Sequence, residues 1–306
     1  MQALNRLMDI YGFSPGSAYV STSLPGVRFF WSTERVERAP LIYNAGLVVV
    51  LQGHKVGYLG EREFHYNPDQ YLLLSVPVPF ECETRASLDD PLFGLFLDID
   101  RTDLHELVGI LDGEGRLDRP LRGAGTVESS PFSGTGVVPA RMNDGMRGAV
   151  NRLLDALCSP AASLALGKGI LREIYFHALD GVHGEAMRAL AREDSHDERI
   201  SRAISLIRNR FAADLSVDDL ADEAGMSPSV FHRAFKGITG SSPHQYLKTT
   251  RLHRAKGLII GEGLPVNEAA RLVGYENPAH FSREFKRHFR VSPRDAKDSA
   301  YRAVDV

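Results

Sequence analysis

The feature that most limits what this chain can fold into is a pattern written twice near its C-terminal end. At an offset of fifty residues, Phe231 is matched by Phe281, Arg233 by Arg283, Phe235 by Phe285, Lys236 by Lys286, and Ser242-Pro243 by Ser292-Pro293. Further upstream the offset is forty-nine, pairing Val217 with Val266, Ala221 with Ala270 and Gly225 with Gly274. The one-residue difference falls between Gly225 and Phe231, in a turn, where an extra residue disturbs no packing. A repeat of this length is the mark of one supersecondary unit used more than once.

Each copy reads as helix, turn, helix. Ser216 stands before a helix with Asp218 and Asp219 in its first turn, a cap followed by favourable charge at the positive end of the helix dipole. Gly225 ends that helix as a residue able to take positive φ. Ser227-Pro228 starts the next one with a cap and a proline at the first position. Phe231 and Phe235, four apart, share the inner face and leave His232 and Arg233 outside. A short helix, a tight turn with glycine and a second helix with exposed polar residues make a helix-turn-helix. In the second copy Asn277-Pro278 restarts the helix, Phe281 and Phe285 point inward, and His280 and Arg283 point outward. The two units are placed at about 215–237 and 264–287. Between them, Pro243 to Ile260 reads as a single helix, roughly 27 Å long at 1.5 Å per residue. Such a rod can hold two recognition helices about one DNA turn apart, near 34 Å.

Charge agrees with that reading. The 306 residues carry a net charge of −3, but from His196 onward there are 18 Lys and Arg against 14 Asp and Glu, or +4. The totals of 36 and 39 leave 18 against 25 before that point, or −7. A basic C-terminal part joined to an acidic N-terminal one fits a nucleic-acid reader carried by a different kind of domain.

The N-terminal part is read less sharply. Residues 1–40 look irregular, with turn chemistry at Ser14-Pro15-Gly16-Ser17, Pro25-Gly26 and Ala39-Pro40. From about Tyr43 to Asp98 the expectation is strand after strand: Leu47 to Leu51, Tyr71 to Val76, Phe80 to Thr84 and Leu92 to Ile99, with a hairpin turn at 59–63. Their spacing suggests a sandwich or small barrel. Asp103 to Leu111 reads as a helix, Leu121 to Pro139 as a surface loop, and Ala140 to Cys158 and Leu164 to Arg192 as helices. Met142, Met146, Val150, Leu153, Leu154 and Leu157 form an apolar stripe that either pairs with a second copy or packs on its own barrel. The polar stretch 192–197 is the expected domain boundary.

Several classes are excluded on composition. Hydrophobic content of 43% and charged content of 25% are ordinary for a globular chain. No apolar run approaches the ~18 residues of a membrane span, and no secretory signal pattern opens the chain. Two cysteines are too few for a disulfide framework or a four-cysteine zinc site; a reducing cytoplasm is the expected compartment. Glu61, Glu63, His54 and His65 invite a metal reading, but His54 is followed by Lys55-Val56, so no His-x-His pair exists. No nucleophile–base arrangement or phosphate-binding glycine loop is evident; neither an enzyme nor a cofactor is expected.

Residues 198–297 resemble the DNA-binding region of the AraC/XylS-type regulators. The matching elements include Leu220-Ala221, Gly225-Met226-Ser227-Pro228-Ser229, Phe235-Lys236, Thr239-Gly240, Tyr246, Arg251-Leu252, Val273-Gly274-Tyr275, Phe281 to Lys286 and Val291-Ser292-Pro293. The N-terminal part is similar to one subgroup of that family at Gln52-Gly53, Tyr66 to Leu72 and Ala86-Ser87 to Pro91. The resemblance implies an α+β multidomain chain. Its parts are a cupin-like β-barrel sensor (1–139), a helical dimerisation or linker segment (140–195) and an all-α double helix-turn-helix domain (196–306). It also implies a ligand-responsive activator, dimeric with itself, that binds double-stranded DNA, a small-molecule effector and RNA polymerase.

By position, the family's base-reading residues fall on Ser229, His232 and Arg233 in the first unit and on Ala279, His280 and Arg283 in the second. Lys236, Arg251, Lys286 and Arg287 are expected to meet phosphate, which positions without specifying. Two departures stand out: Arg290 sits where the family has glycine, and Pro278-Ala279-His280 is less polar than the family's usual version. Leu47, Val49, Tyr71, Leu73 and Phe93 are the expected inward residues around an effector. Cys82, between Glu81 and Glu83, is a buried strand residue or a redox sensor.

Overall fold

The computed structural model describes residues 2–113, 135–181, 184–191 and 196–304, with side chains through residue 298. Of the expected boundary at 192–197, residues 192–195 lie outside the described residues, as does most of the expected loop from Leu121 to Pro139.

A short amphipathic helix opens the chain (α1, Gln2–Ile10), burying Leu4 and Leu7. Nine strands follow: β1 (Ser17–Ser21), β2 (Val27–Ser32), β3 (Val36–Tyr43), β4 (Gly46–Gln52), β5 (Lys55–Leu59), β6 (Arg62–Tyr66), β7 (Gln70–Leu74), β8 (Val78–Thr84) and β9 (Leu92–Leu97). After α2 (Arg101–Gly113) comes a tenth, β10 (Val137–Arg141), which pairs antiparallel with β7. The first forty residues are therefore more regular than they read. β1 is an edge strand with no fully buried residue and β2 is buried nearly throughout, so neither carries a strong apolar–polar contrast along its length. Val137 to Pro139 belongs to a strand rather than a loop.

The strands do not close into one barrel. They form a six-stranded sheet in the order β1-β2-β9-β4-β7-β10 and a four-stranded sheet in the order β3-β8-β5-β6. The two face each other as an antiparallel sandwich. The Leu59 to Glu63 turn is a two-residue hairpin joining β5 and β6, with Gly60 at φ 63°.

Both faces of the six-stranded sheet are covered. On one side Val48, Val50, Leu72, Leu74 and Phe96 join Phe64, Tyr66 and Phe80 of the four-stranded sheet. On the other, Val27, Phe29, Leu47, Val49, Tyr71, Leu73 and Phe93 pack against helices. Those helices include α3 (Asp144–Leu157), α4 (Pro160–Leu179) and α5 (Gly184–Ala191). Asn143 caps α3 by accepting from the Met146 N–H, and Ser159 caps α4 by accepting from Ala162. The stripe Met142, Met146, Val150, Leu153, Leu154 and Leu157 is buried here, against the chain's own sheet. Of the two expectations for it, packing on the same chain is the one realised. The large apolar side chains left exposed on these helices are Leu164 and Leu166 of α4.

The C-terminal helices are α6 (His196–Arg210), α7 (Val217–Glu223), α8 (Pro228–Thr239), α9 (Pro243–Ile260), α10 (Val266–Leu272), α11 (Pro278–Phe289) and α12 (Pro293–Val304). The long connecting helix occupies the residues expected for it. The two halves pack differently. Phe231, Phe235, Ile238, Tyr246 and the α6 residues Ile200, Ile204 and Ile207 share one apolar cluster with the space between the sheets. Leu252, Ile259, Val273, Phe281, Phe285 and Phe289 form a cluster of their own.

Candidate nucleic-acid interface

The first unit is built as the sequence suggests. Ser216 and Asp219 form a reciprocal capping box: the Asp219 N–H donates to the Ser216 hydroxyl at 3.1 Å, and the Ser216 N–H donates to the Asp219 carboxylate at 2.9 Å. Those bonds hold the Asp219 carboxyl below its usual pKa. The inner face of α8 buries Phe231 and Phe235, with ring centroids 5.3 Å apart. The opposite face leaves Ser229, His232, Arg233, Lys236 and Gly237 exposed.

In the second unit the Asn277 side chain accepts from the N–H groups of both Ala279 and His280, satisfying two of the free donors at the start of α11. Phe281 and Phe285 are fully buried, while Ala279, His280, Arg283, Lys286 and Arg287 are exposed. The turn before it depends on Gly274, at φ 87°, where a Cβ would stand 2.5 Å from the Ala212 carbonyl oxygen. Only glycine fits there.

The six expected base readers therefore lie on the outer faces of two equivalent helices. The phosphate set is more divided. Lys236 and Lys286 stand free on those faces. Arg287 pairs with Glu284, a buried carboxylate of the same helix that Lys248 of α9 also contacts. Arg251 is corrected to another place. It is half-buried, and its guanidinium donates to the Phe211 and Ala213 carbonyls at 2.7 and 2.9 Å, tying α9 to the chain just past α6. Its forked donors satisfy backbone groups left over at a helix end, so they are not presented to phosphate.

Other expected site residues lie elsewhere. Leu47, Val49, Tyr71, Leu73 and Phe93 face the helical layer rather than the space between the sheets. These strands are buried on both faces, so alternate residues serve different cores, and the expected effector residues fall on the helical side. Cys82 is 4% exposed and 3.1 Å from the Tyr66 hydroxyl, a core position rather than the partly exposed one of reactive thiols. His65 meets Glu63 on the outer face of β6 at 3.0 Å. Among the described residues, no group of three or more His, Cys, Asp or Glu comes together as a metal site.

One set of residues was not legible in the sequence. Leu59, Glu61 and Arg62 of the β5–β6 hairpin, with Thr135, form one wall of a groove; Ser229, His232, Arg233, Lys236 and Gly237 of α8 form the other. The N-terminal hairpin thus stands across from the exposed face of the first recognition helix. No local pattern announces a contact between residues this far apart in sequence.

Comparison with known proteins follows the same division. The family described as AraC-type transcriptional regulator N-terminus matches residues 23–186, over half of the chain, and a helix-turn-helix domain matches residues 220–299. The chain belongs to the AraC-type transcriptional regulators. This AraC-type regulator is 31% identical over 99 residues to the lactose operon transcription activator of Staphylococcus xylosus, which covers 32% of this chain and 36% of that one. It is 31% identical over 103 residues to the HTH-type transcriptional activator RhaS of Citrobacter koseri, covering 34% and 37%. The matches thus span about a third of those relatives' length. ToxT from Vibrio cholerae shares the fold over 89% of this chain and 98% of its own, with a TM-score of 0.54 at 13% identity. No helix among the described residues is long and apolar enough to cross a membrane.

Proposed function

We propose that this regulator reads double-stranded DNA with α8 and α11 in successive major grooves, and that an effector in the N-terminal sandwich controls how the two helices engage. Arg233 and Arg283 are the principal base readers, as forked donors suited to guanine. Ser229, His232, Ala279 and His280 add contacts, and Lys236 and Lys286 neutralise phosphate. The protein acts as an activator of transcription, as a homodimer, and meets RNA polymerase at the promoter in the cytoplasm.

The observation that carries the regulatory part is the shared core. The first unit's Phe231, Phe235 and Tyr246 lie in one apolar cluster with the space between the sheets, whereas the second unit has a separate core. Packed interiors transmit displacement rather than absorb it. A molecule that alters the sandwich therefore shifts the population of first-unit arrangements, while the second unit serves as the fixed reader.

The test is selection of bound fragments from sheared genomic DNA of the source organism, followed by footprinting. The expected result is enrichment of a few sites, each protected over two adjacent major grooves on one face of the duplex. Salt-sensitive binding without enrichment, with and without candidate effectors, overturns the reading in favour of backbone contact alone.

A further inference from the structure

Between the two sheets, where their edge strands β1 and β3 face each other, lies a cavity of about 270 Å³. Phe30, Leu41 and Leu92 give it apolar walls, and Tyr43, Lys55 and Cys82 bring polar atoms to it. Lys55 is only 9% exposed. Its Nζ donates to the Tyr43 hydroxyl at 3.0 Å and lies 5.7 Å from the centroid of the Phe30 ring. Among the described residues no carboxylate lies within ion-pair distance of it. The nearest acidic neighbour in sequence on β8, Glu83, is engaged instead by Arg85, Arg35 and the Tyr58 hydroxyl. Burial penalises the Lys55 ammonium, and the Tyr43 hydroxyl and Cys82 thiol more than offset that, leaving the group protonated at neutral pH.

A buried cation without a counter-charge is costly, and buried charges are ordinarily paired. Among the described residues no carboxylate balances it; its polar neighbours are the Tyr43 hydroxyl and the Cys82 thiol, and an apolar space opens beside the ammonium. The Tyr43 hydroxyl accepts from Lys55 and also meets the buried Tyr66 hydroxyl, so one cation and one phenol converge beside the cavity. We infer that this cavity is the effector site and that it selects a small carboxylic acid with an apolar body. The inference rests on the effector-responsive reading above and names the chemistry of that effector. One cation and one phenol match a monoanion rather than a doubly charged phosphate. A volume just under the ~300 Å³ at which ligand pockets usually begin sets the size as small. The site also has a route outward. Tyr43 ends β3, and its neighbours Ile42 and Asn44 line a cleft against Tyr246, Thr250 and His253 of α9, the rod that joins the two reading units.

The experiment uses the full chain, with hexanoate and benzoate as probes and hexanol and benzamide as their neutral counterparts. Binding is read by thermal shift and calorimetry. The expected result is a dose-dependent rise in melting temperature with the acids and binding at least ten-fold weaker for the neutral molecules. Lys55→Met is expected to abolish the acid effect. Tyr43→Phe, at a partly exposed strand end, is expected to weaken it several-fold while leaving the fold intact, so the test stands even where Lys55→Met fails to fold. Three outcomes overturn the inference: acids and neutral counterparts bind alike, acids bind a folded Lys55→Met protein unchanged, or none of the four probes binds. A gel shift separates this inference from the reading beneath it. Acid binding through Lys55 that leaves DNA affinity unchanged upholds the anion site and removes its effector role.

Discussion

The Tyr246 hydroxyl donates to the Pro77 carbonyl oxygen at 2.9 Å, a buried bond between the DNA-reading helices and the β-sandwich across 169 residues of sequence. Close by, the Gly136 N–H donates to the Ile238 carbonyl at 2.7 Å. Gly240 packs so near Leu59 that a Cβ would stand 2.8 Å from its side chain. The first reading unit is therefore fastened to the sandwich by specific bonds as well as by shared apolar burial.

Tyr246→Phe keeps the ring and removes the donor, leaving the Pro77 carbonyl buried without this partner. The expected cost is about 1–3 kcal/mol. Urea unfolding of the full chain measures it; an unchanged midpoint would show that the interface is held by apolar contact alone.

Arg233→Ala and Lys236→Ala are expected to separate readout from phosphate binding. The first should weaken binding by about 1–3 kcal/mol at a specific half-site and relax its sequence preference. The second should weaken binding evenly across sequences and lower the salt slope by about one. Titrations on cognate and scrambled duplexes at several salt concentrations check both. Uniform weakening by Arg233→Ala would reassign that side chain to phosphate.

Glu61 is an exposed acid at the hairpin tip, across the groove from His232, Arg233 and Lys236. Like the phosphates of an incoming duplex, it is negative. Glu61→Lys is expected to tighten binding to duplex DNA by roughly two- to three-fold at low salt, the scale of exposed charge interactions, and the gain should fade as salt rises. Fluorescence anisotropy at two salt concentrations reads the change.

The second unit should be sensitive to acid. His253 of α9 and His288 of α11 meet Nε2 to Nε2 at 3.2 Å, a bond that requires one ring to donate and the other to accept. Burial first, then the neighbouring ring and Lys256, lowers His253 to about 3. For His288, burial lowers the value to about 4, with Lys248, Lys256 and Arg287 acting the same way and Glu81 opposing them. Both folded values lie below the ordinary 6.5, so the unfolded chain takes up protons first as pH falls. Stability is present above about pH 6.5 and is lost progressively toward pH 4. Between pH 7 and 5 the loss should be on the order of 2 kcal/mol for the partly buried pair. His288→Gln should flatten that slope in thermal melts across pH; an unaltered slope would assign it to other groups.

Arg290 caps α11 in the left-handed region at φ 65°, where the equivalent cap of α8 is Gly240 at φ 75°. A non-glycine residue there costs about 1–2 kcal/mol, against roughly 0.5–1 kcal/mol of extra chain entropy that glycine loses on folding. Arg290→Gly is thus expected to stabilise the protein by about 0.5 kcal/mol. A melting temperature that falls would mean the Arg290 side chain contributes more than its backbone strain removes.

The C-terminal half was legible because its signals are local. The capping box at Ser216 and Asp219, the glycine at 225, the proline starts at 228 and 278 and the four-residue spacing of the phenylalanines each act within one or two helical turns. The exposed faces carrying Arg233 and Arg283 follow from them directly. The start of α9 is marked locally by Ser242-Pro243, the cap and the proline at its first position.

What the tertiary structure alone decided concerns partners distant in sequence. Leu47 to Val50 is buried on both faces, so it shows no alternation from which a direction could be read, and only the helical layer assigns Leu47 and Val49 to one side. The division of ten strands into two sheets depends on which edges pair, and sequence propensity says nothing of edges. Arg251 looked like a phosphate contact until two carbonyls past the end of α6 claimed it. Nothing local to Lys55 announces its burial, which comes from the strands and the Tyr43 side chain packed around it. Local rules determined the two DNA readers, and long-range packing decided what they are fastened to, because backbone preference reaches a few residues while burial is settled by the whole chain.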